Sequence, residues 1–227
     1  MKPLISVIMS VYNDSDNLES SINSVLNQDF QNFEFLIMDD GSTDESCNIL
    51  NSYSQDSRIK IFQNKRNVGL TKSLNILLNE SRGTFVARQD SDDLSLSSRF
   101  SKQLDYIENK NLDICGTRAI IKGSTRITPN KSYYLPVKTT LKIKNPFIHG
   151  SLIIKKTTIE KVNHYDERFF YSQDYKLVKD ILYSGSSMGI LREPLYVLNL
   201  ENNISTNFKE KQKYYADCVK KNLVPNE

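Results

Sequence analysis

One feature constrains this chain more than any other. Short apolar runs alternate with helix-spaced runs through residues 4–109, and most of the apolar runs stop at acidic or polar side chains. Residues 4–11 (LISVIMSV) are continuously apolar and rich in β-branched side chains, the pattern of a strand buried on both faces. Tyr12-Asn13-Asp14 follows as a loop, and Ser15 or Asp16 can cap a helix whose apolar positions Leu18, Ile22, Val25 and Leu26 fall at helical spacing. A second strand is predicted over 33–38, closed by Asp39-Asp40-Gly41; Ser42 or Thr43 then caps a helix that reaches about Tyr53. A third strand covers 59–62, and a helix over 70–78 sets Leu70, Leu74, Leu77 and Leu78 on one face. A fourth strand over 84–88 ends in Gln89-Asp90-Ser91-Asp92-Asp93, ahead of a helix over 97–109. Successive strand–helix units predict an α/β fold with a doubly wound, mostly parallel central sheet and helices on both faces.

The second half is less regular. Residues 112–122 read as a strand, and 124–138, with Pro129 and Pro136, as a loop or small antiparallel ribbon. A strand over 148–154, a short helix over 157–162 and an amphipathic helix over 174–183 follow, then two closing strands over 187–191 and 195–200. From Glu201 the chain turns polar, and Phe208, Tyr215 and Val219 point to one last helix.

Composition narrows the function classes. No run approaches the ~18 uncharged apolar residues of a membrane helix, and the apolar start is too short for a secretory leader, so a cytoplasmic protein is expected. Cys47, Cys115 and Cys218 make neither a disulfide framework nor a zinc pattern. A net charge of +3, from 30 Lys+Arg against 27 Asp+Glu, is too small for a nucleic-acid footprint. The end of the chain is locally basic, with Lys209, Lys211, Lys213, Lys220 and Lys221 beside Phe208, Tyr214 and Tyr215. That mixture suits peripheral attachment to an anionic membrane face, against the plainer reading of a solvated helix packed on the sheet.

In an open parallel sheet, ligands bind beyond the carboxyl ends of the strands. There the first strand ends in Tyr12-Asn13-Asp14, the second in Asp39-Asp40 and the fourth in Asp90-Ser91-Asp92-Asp93. Unpaired carboxylates on one rim raise each other's pKa unless a cation sits between them. An all-oxygen set of this kind suits Mg²⁺ or Mn²⁺ shared with a substrate phosphate. An isolated Asp-x-Asp-Asp would be a polar turn that caps the next helix; its place after a buried strand favours the ligand role. There is no GxxxxGK[ST] loop and no GxGxxG after the first strand.

At these residues the chain resembles the family 2 glycosyltransferases of the GT-A fold that build bacterial surface polysaccharides. The resemblance runs from about Ile5 to about Leu200 and is carried by ISVIMSVYND, FEFLIMDDGSTDES, NVGLTKSLNILLNESRGTFVARQDSDD and DERFFYSQDYKLVKD, in that order. It departs from the family at Ser10, where Pro is common, at Asp14 in place of Glu, and at Gln173-Asp174 in place of a Glu-Asp pair. It implies a single catalytic domain over 1–200, with a nucleotide-sugar half over 1–110, an acceptor half over 111–200, and a helical tail over 201–227. The implied activity is transfer of a sugar from a UDP-sugar to a saccharide or lipid-linked acceptor hydroxyl, with inversion, by a hexosyl- or N-acetylhexosaminyltransferase. By the same resemblance Asp92 is the metal ligand for Mn²⁺ or Mg²⁺, and Asp90 holds the ribose or a metal-bound water. Asp39 reads the uracil, Val11 and Tyr12 line the base, and Asp14 lies near the nucleoside. Gly69, Lys72, Arg88 and Ser91 complete the donor site, and Asp174 is the general base. Arg88, Lys72 and Arg99 are candidates to steady phosphates, with ordinary surface or cap charges as the alternative, and His149 is either an acceptor or metal contact or a structural residue. A nucleotidyltransferase and a non-catalytic nucleotide-sugar-binding subunit are the competing functions, and a homodimer is left open.

Overall fold

A computed structural model describes residues 2–201 and 208–226; the expected polar stretch after Glu201 thus lies partly outside the described residues. The first half forms β1 (Ile5–Val11), α1 (Ser15–Leu26), β2 (Phe33–Asp39), α2 (Ser46–Ser52), β3 (Ile59–Gln63), α3 (Leu70–Glu80), β4 (Phe85–Arg88), the short β5 (Leu94–Ser95) and α4 (Arg99–Lys110). The second half adds β6 (Ile114–Ile121), β7 (Ile127–Thr128), α5 (Val137–Thr140), β8 (Ile153–Lys155), α6 (Lys156–Lys161), α7 (Gln173–Tyr183), β9 (Met188–Leu198) and α8 (Lys209–Lys221).

Among the described residues the strands form one nine-stranded sheet in the order β3-β2-β1-β4-β8-β6-β9-β5, with β7 on β6. The β3-β2-β1-β4 half is parallel throughout, and β8 joins it antiparallel to β4. The pleat sends alternate residues to opposite faces. From β1, Ile5, Val7, Met9 and Val11 pack with Leu18, Ile22 and Val25 of α1 and Phe100 and Ile107 of α4. Ile8 faces the other way, into a core with Leu74, Leu77 and Leu78 of α3 and Leu177, Val178 and Ile181 of α7. Two cores, one on each face, are why β1 is apolar at five of its seven positions, with the buried Ser6 satisfied by donating to Glu34 Oε1 at 2.7 Å.

Four expectations are corrected. Where two strands were expected over 187–191 and 195–200 there is one, β9 (Met188–Leu198); its pairing with β6 jumps from Leu191↔Thr117 to Pro194↔Arg118, a bulge that takes up Arg192 and Glu193 where Pro194 has no N–H to give. The strand expected over 148–154 is a 3-10 turn, His149–Ser151, before a short β8. Ser151 Oγ donates to the Ile148 carbonyl at 2.9 Å and accepts from the Thr117 N–H at 3.2 Å, which curls the backbone away from the ladder. Helix α2 starts at Ser46 instead of near Thr43, because residues 42–46 are taken up in contacts with the loop after β1. The polar stretch 124–138 contains β7 as the expected ribbon strand, but it continues into α5.

Candidate active site

The carboxyl ends of β1, β2 and β4 lie side by side, since each neighbouring pair is parallel and in register. The loop after β1 is tied to the loop after β2. Asn13 Oδ1 accepts from the Thr43 N–H at 2.7 Å, and the Asp14 and Ser15 N–H groups donate to Ser46 Oγ and Asp44 Oδ2. It is also tied to the end of β4, where Ser91 Oγ donates to Asp14 Oδ2 at 2.6 Å. Asp14 and the Asp90-Ser91-Asp92 segment, with Ser91 lying 77 positions after Asp14, are thereby gathered in one place.

These charges repel. Burial, then Asp90 and Asp14, push the Asp92 carboxyl up to about 7. Asp93 is also raised, by burial and by Asp90 and Asp92, but it is 2% exposed and accepts the Asn199 N–H at 2.6 Å, so it anchors β9 beneath the rim. Lys122, at the end of β6, partly offsets the charge on Asp92 and donates to Asn17 Oδ1 at 3.0 Å. Sequence reading missed Lys122, because nothing local distinguishes it from other surface lysines.

The arginines expected to steady phosphates sit deeper than that. Arg88 is 2% exposed; its guanidinium donates to the Ile8 and Gln89 carbonyls and pairs with Asp90 Oδ1. Arg99 is wholly buried and donates to the Arg88 and Gly150 carbonyls, with burial lowering its pKa to about 10. Arg88 therefore bears on the rim by setting Asp90, and Arg99 is a structural tie. Lys72 is exposed on α3.

Along the rim, Tyr12 is 48% exposed above the buried Val11. Asp39 is 1% exposed, with Oδ1 accepting the Ser42 N–H at 2.9 Å and Oδ2 the Gln63 amide at 3.2 Å. Its neighbour Asp40 has a role that sequence reading did not assign. Its carboxylate accepts the Val68 N–H at 3.0 Å, the Gly69 N–H at 2.9 Å and the Asn64 amide at 2.8 Å. It thereby holds the loop into α3, where Gly69 adopts a φ of 95° that favours glycine.

The opposite wall comes from the second half. His149 donates to or accepts from Tyr165 Oη at 2.8 Å; burial, then the Arg88 charge, hold its pKa below the ordinary imidazole value, so the ring is neutral near pH 7. The Asp90 and Asp174 charges both act on His149 and on Tyr165, which puts the second-half acid and the Asp-x-Asp segment around the same pair of rings. Asp174 lies in the first turn of α7, and its Oδ2 accepts from Asn145 Nδ2 at 2.7 Å. Gly150 closes the floor: a Cβ there would stand 2.0 Å from Tyr196 Oη and 2.7 Å from Asp90 Oδ2, so only glycine fits.

The residues present fit a divalent cation. Apart from His149, whose Nε2 is engaged by Tyr165 Oη, the candidate ligands are carboxylate oxygens, and the raised Asp92 carboxyl is what an unneutralised cluster produces. Among the described residues no three carboxylate, imidazole or thiol side chains converge as a complete cage. Such a set suits an ion that completes its shell with water and substrate phosphate.

Comparison with known proteins agrees with this geometry. The family model described as Glycosyl transferase family 2 matches residues 6–182. EpsE of Bacillus subtilis is 34% identical over 172 residues, covering 72% of this chain and 60% of EpsE. The UDP-Glc:alpha-D-GlcNAc-diphosphoundecaprenol beta-1,3-glucosyltransferase WfgD of Escherichia coli is 30% identical over 217 residues, covering 91% of this chain and 82% of WfgD. Among solved structures, S. aureus TarS 1-349 in complex with UDP-GlcNAc superposes with a TM-score of 0.77 at 20% identity, covering 90% of this chain and 60% of TarS. The mannosyltransferase PcManGT from Pyrobaculum calidifontis, in complex with GDP-Man and Mn²⁺, gives 0.75 at 15% identity, covering 95% and 62%. The mixed α/β fold around a mostly parallel central sheet matches these GT-A glycosyltransferase structures. The chain thus spans about 60% of the length of EpsE and of the TarS fragment.

Proposed function

The chain belongs to glycosyl transferase family 2, and from that premise we propose that it transfers a sugar from a UDP-sugar to a hydroxyl of a saccharide or lipid-linked saccharide, with inversion and with a divalent cation. The observation that carries this reading is the gathering of Asp14, Asp90 and Asp92 at the carboxyl ends of β1 and β4, with Asp174 across the same pair of rings. WfgD's donor and lipid diphosphate acceptor, and the UDP-GlcNAc of TarS, support the donor and acceptor classes. The Mn²⁺ of PcManGT supports the cation.

In this reading Asp92 holds the ion and Asp90, fixed by Arg88, orients the ribose or an ion-bound water. A bound Mg²⁺ or Mn²⁺ neutralises charge on the departing diphosphate. Tyr12 and Val11 line the base, Asp39 accepts from the uracil imide, and Asp14 with Ser91 borders the nucleoside. Gly69 and Lys72 flank the diphosphate, Lys122 adds a positive charge beside it, and His149 faces the sugar or acceptor. Asp174 takes the proton from the attacking hydroxyl, a role worth typically ~10²–10⁴-fold. Residues 1–110 then serve mainly the donor and 111–200 the acceptor.

The experiment that tests the reading is UDP release with Mn²⁺ across a panel of UDP-, GDP- and CDP-sugars, with and without acceptor saccharides. Release from one UDP-sugar, abolished by EDTA, is expected. A chain that binds no nucleotide-sugar in any combination overturns it.

A further inference from the structure

Between Asp113 and Glu160 the chain carries nine lysines and arginines and no acidic residue. The whole chain has 30 basic and 27 acidic residues, so the remaining 21 bases are outnumbered by the 27 acids elsewhere. The near-neutral total hides a strongly positive segment.

The structure gives that segment a shape. After β7 the chain leaves the sheet, turns through α5 and returns at Asn145. Its inner side is fixed: Val137 and Leu141 pack on the core, and Tyr175 Oη donates to the Leu141 carbonyl at 2.6 Å. Its outer side presents Tyr134 (69% exposed), Leu135 (52%) and Ile143 (65%), interspersed with exposed Lys138, Lys142 and Lys144. Among the described residues no ion pair engages these three lysines.

We propose that this outer side, residues 133–144, docks on an anionic bilayer surface. Large apolar side chains set among unpaired lysines suit the boundary between headgroups and acyl chains, where the apolar groups enter and the lysines meet lipid phosphate. A second copy of the chain fits poorly, because a two-fold contact would set the lysines against themselves. A nucleic acid gives Leu135 and Ile143 nothing to bury against. The C-terminal helix, the part of the sequence that first suggests membrane attachment, is less suited. Tyr215, Cys218 and Val219 of α8 are buried in the core shared with α7, and although Phe208 and Tyr214 stay exposed, Lys211 lies over the Tyr171 and Phe208 rings and Lys220 pairs with Asp217, so fewer of its lysines are free for lipid phosphate.

The place of this surface gives it a use. Asn145 ends the excursion and donates to Asp174, so the bilayer would lie beside the acceptor side of the site. That use rests on the proposed function, since a lipid-linked acceptor would be met at the membrane; the docking itself does not.

The test is flotation of the full chain with vesicles of phosphatidylglycerol and phosphatidylcholine, against phosphatidylcholine alone, at low ionic strength. Binding to the anionic vesicles only is expected, weakened about 100-fold in a Lys138→Glu/Lys142→Glu/Lys144→Glu variant, at roughly fivefold or more per lysine. A Tyr134→Ser/Leu135→Ser/Ile143→Ser variant should lose binding that survives moderate salt, and both variants should keep the wild-type Tm. A variant with Lys209, Lys211 and Lys213 changed to Glu should still float. The proposal is overturned by wild-type protein that does not float, by variants that float unchanged, by loss confined to the tail variant, or by tight binding to an RNA homopolymer with none to vesicles. UDP calorimetry on the same preparations separates this from the proposed function: intact UDP binding without flotation sinks the docking alone, and flotation without nucleotide binding sinks the transferase reading alone.

Discussion

Asn145 Nδ2 stands 2.7 Å from Asp174 Oδ2, joining the end of the 133–144 excursion to the first turn of α7 across 29 residues. The amide engages one carboxylate oxygen and leaves the other for substrate, which is how a base is held in one orientation. Asp174→Asn is expected to lower kcat by roughly 10²-fold or more with donor affinity unchanged, since a base acts only as the transition state forms. Asp174 is the second residue of α7, behind the Ser172 cap, so Asn loses only the carboxylate's interaction with the helix N-terminus, ~0.3–1 kcal/mol, and Tm should fall little. Asn145→Ala should lower kcat by about 10-fold, chiefly through misplacement of Asp174. Turnover near wild type for Asp174→Asn would move the base to Asp166 or Glu167, or leave a binding subunit.

Asp92→Asn should abolish the metal-dependent part of UDP affinity while the fold persists. It removes one of several mutually repelling carboxylates, so without metal its Tm should equal or exceed that of the wild type. Calorimetry with UDP in Mn²⁺ and in EDTA reads both arms. Wild-type protein that binds UDP equally in either buffer would refute the metal role.

Asp39→Ala should weaken UDP binding and narrow the preference for UDP over CDP, because a carboxylate accepts from the uracil imide but faces a lone pair on cytosine. The side chain also takes the Ser42 N–H at 2.9 Å, so some loss of order in the loop after β2 is expected as well. Competition between UDP and CDP on wild type and variant decides it; equal affinities on wild type would end the base-reading role.

Glu34 gives a stability prediction away from the site. Its side chain is 5% exposed and accepts from Ser6 Oγ, the Arg82 N–H and the Arg82 guanidinium at 2.7–2.9 Å. Burial raises its pKa, but these bonds together hold it below the ordinary carboxylate value. The stabilisation is therefore present above the unfolded-state pKa and is lost as pH falls through the lower folded value. Glu34→Gln should cost about 1–3 kcal/mol at pH 7 and flatten the fall of Tm between neutral and acid pH. An unchanged pH profile would show that Glu34 is not ionised in the fold.

Gly150→Ala should cost at least ~1–3 kcal/mol, the usual penalty of forcing atoms into a packed site. The new methyl would press on Tyr196 and Asp90, so UDP affinity should fall with stability. A variant with wild-type Tm and UDP affinity would mean that the turn at residues 149–151 moves freely.

Much of this protein is legible along the chain. The two-faced burial of β1, the amphipathic stripes of α1, α3, α4 and α7, and the acids closing β1, β2 and β4 are patterns within a dozen residues, and each sits close to where its period places it. Local chemistry sets them, because a strand buried on both faces must be mostly apolar, with any polar side chain bonded, and a helix can hide only one side. What lay outside the sequence were relationships between distant residues. The single bulged β9 depends on its register against β6, and the turn at His149 on the bonds of Ser151. The burial of Arg88 and Arg99 depends on carbonyls that only the assembled sheet brings within reach, and Lys122 matters because it ends up near Asp92. A carboxylate in a sequence shows that charge is available; which oxygen is engaged, which is free and what repels it depend on neighbours that arrive from elsewhere in the chain, and those the tertiary structure alone decided.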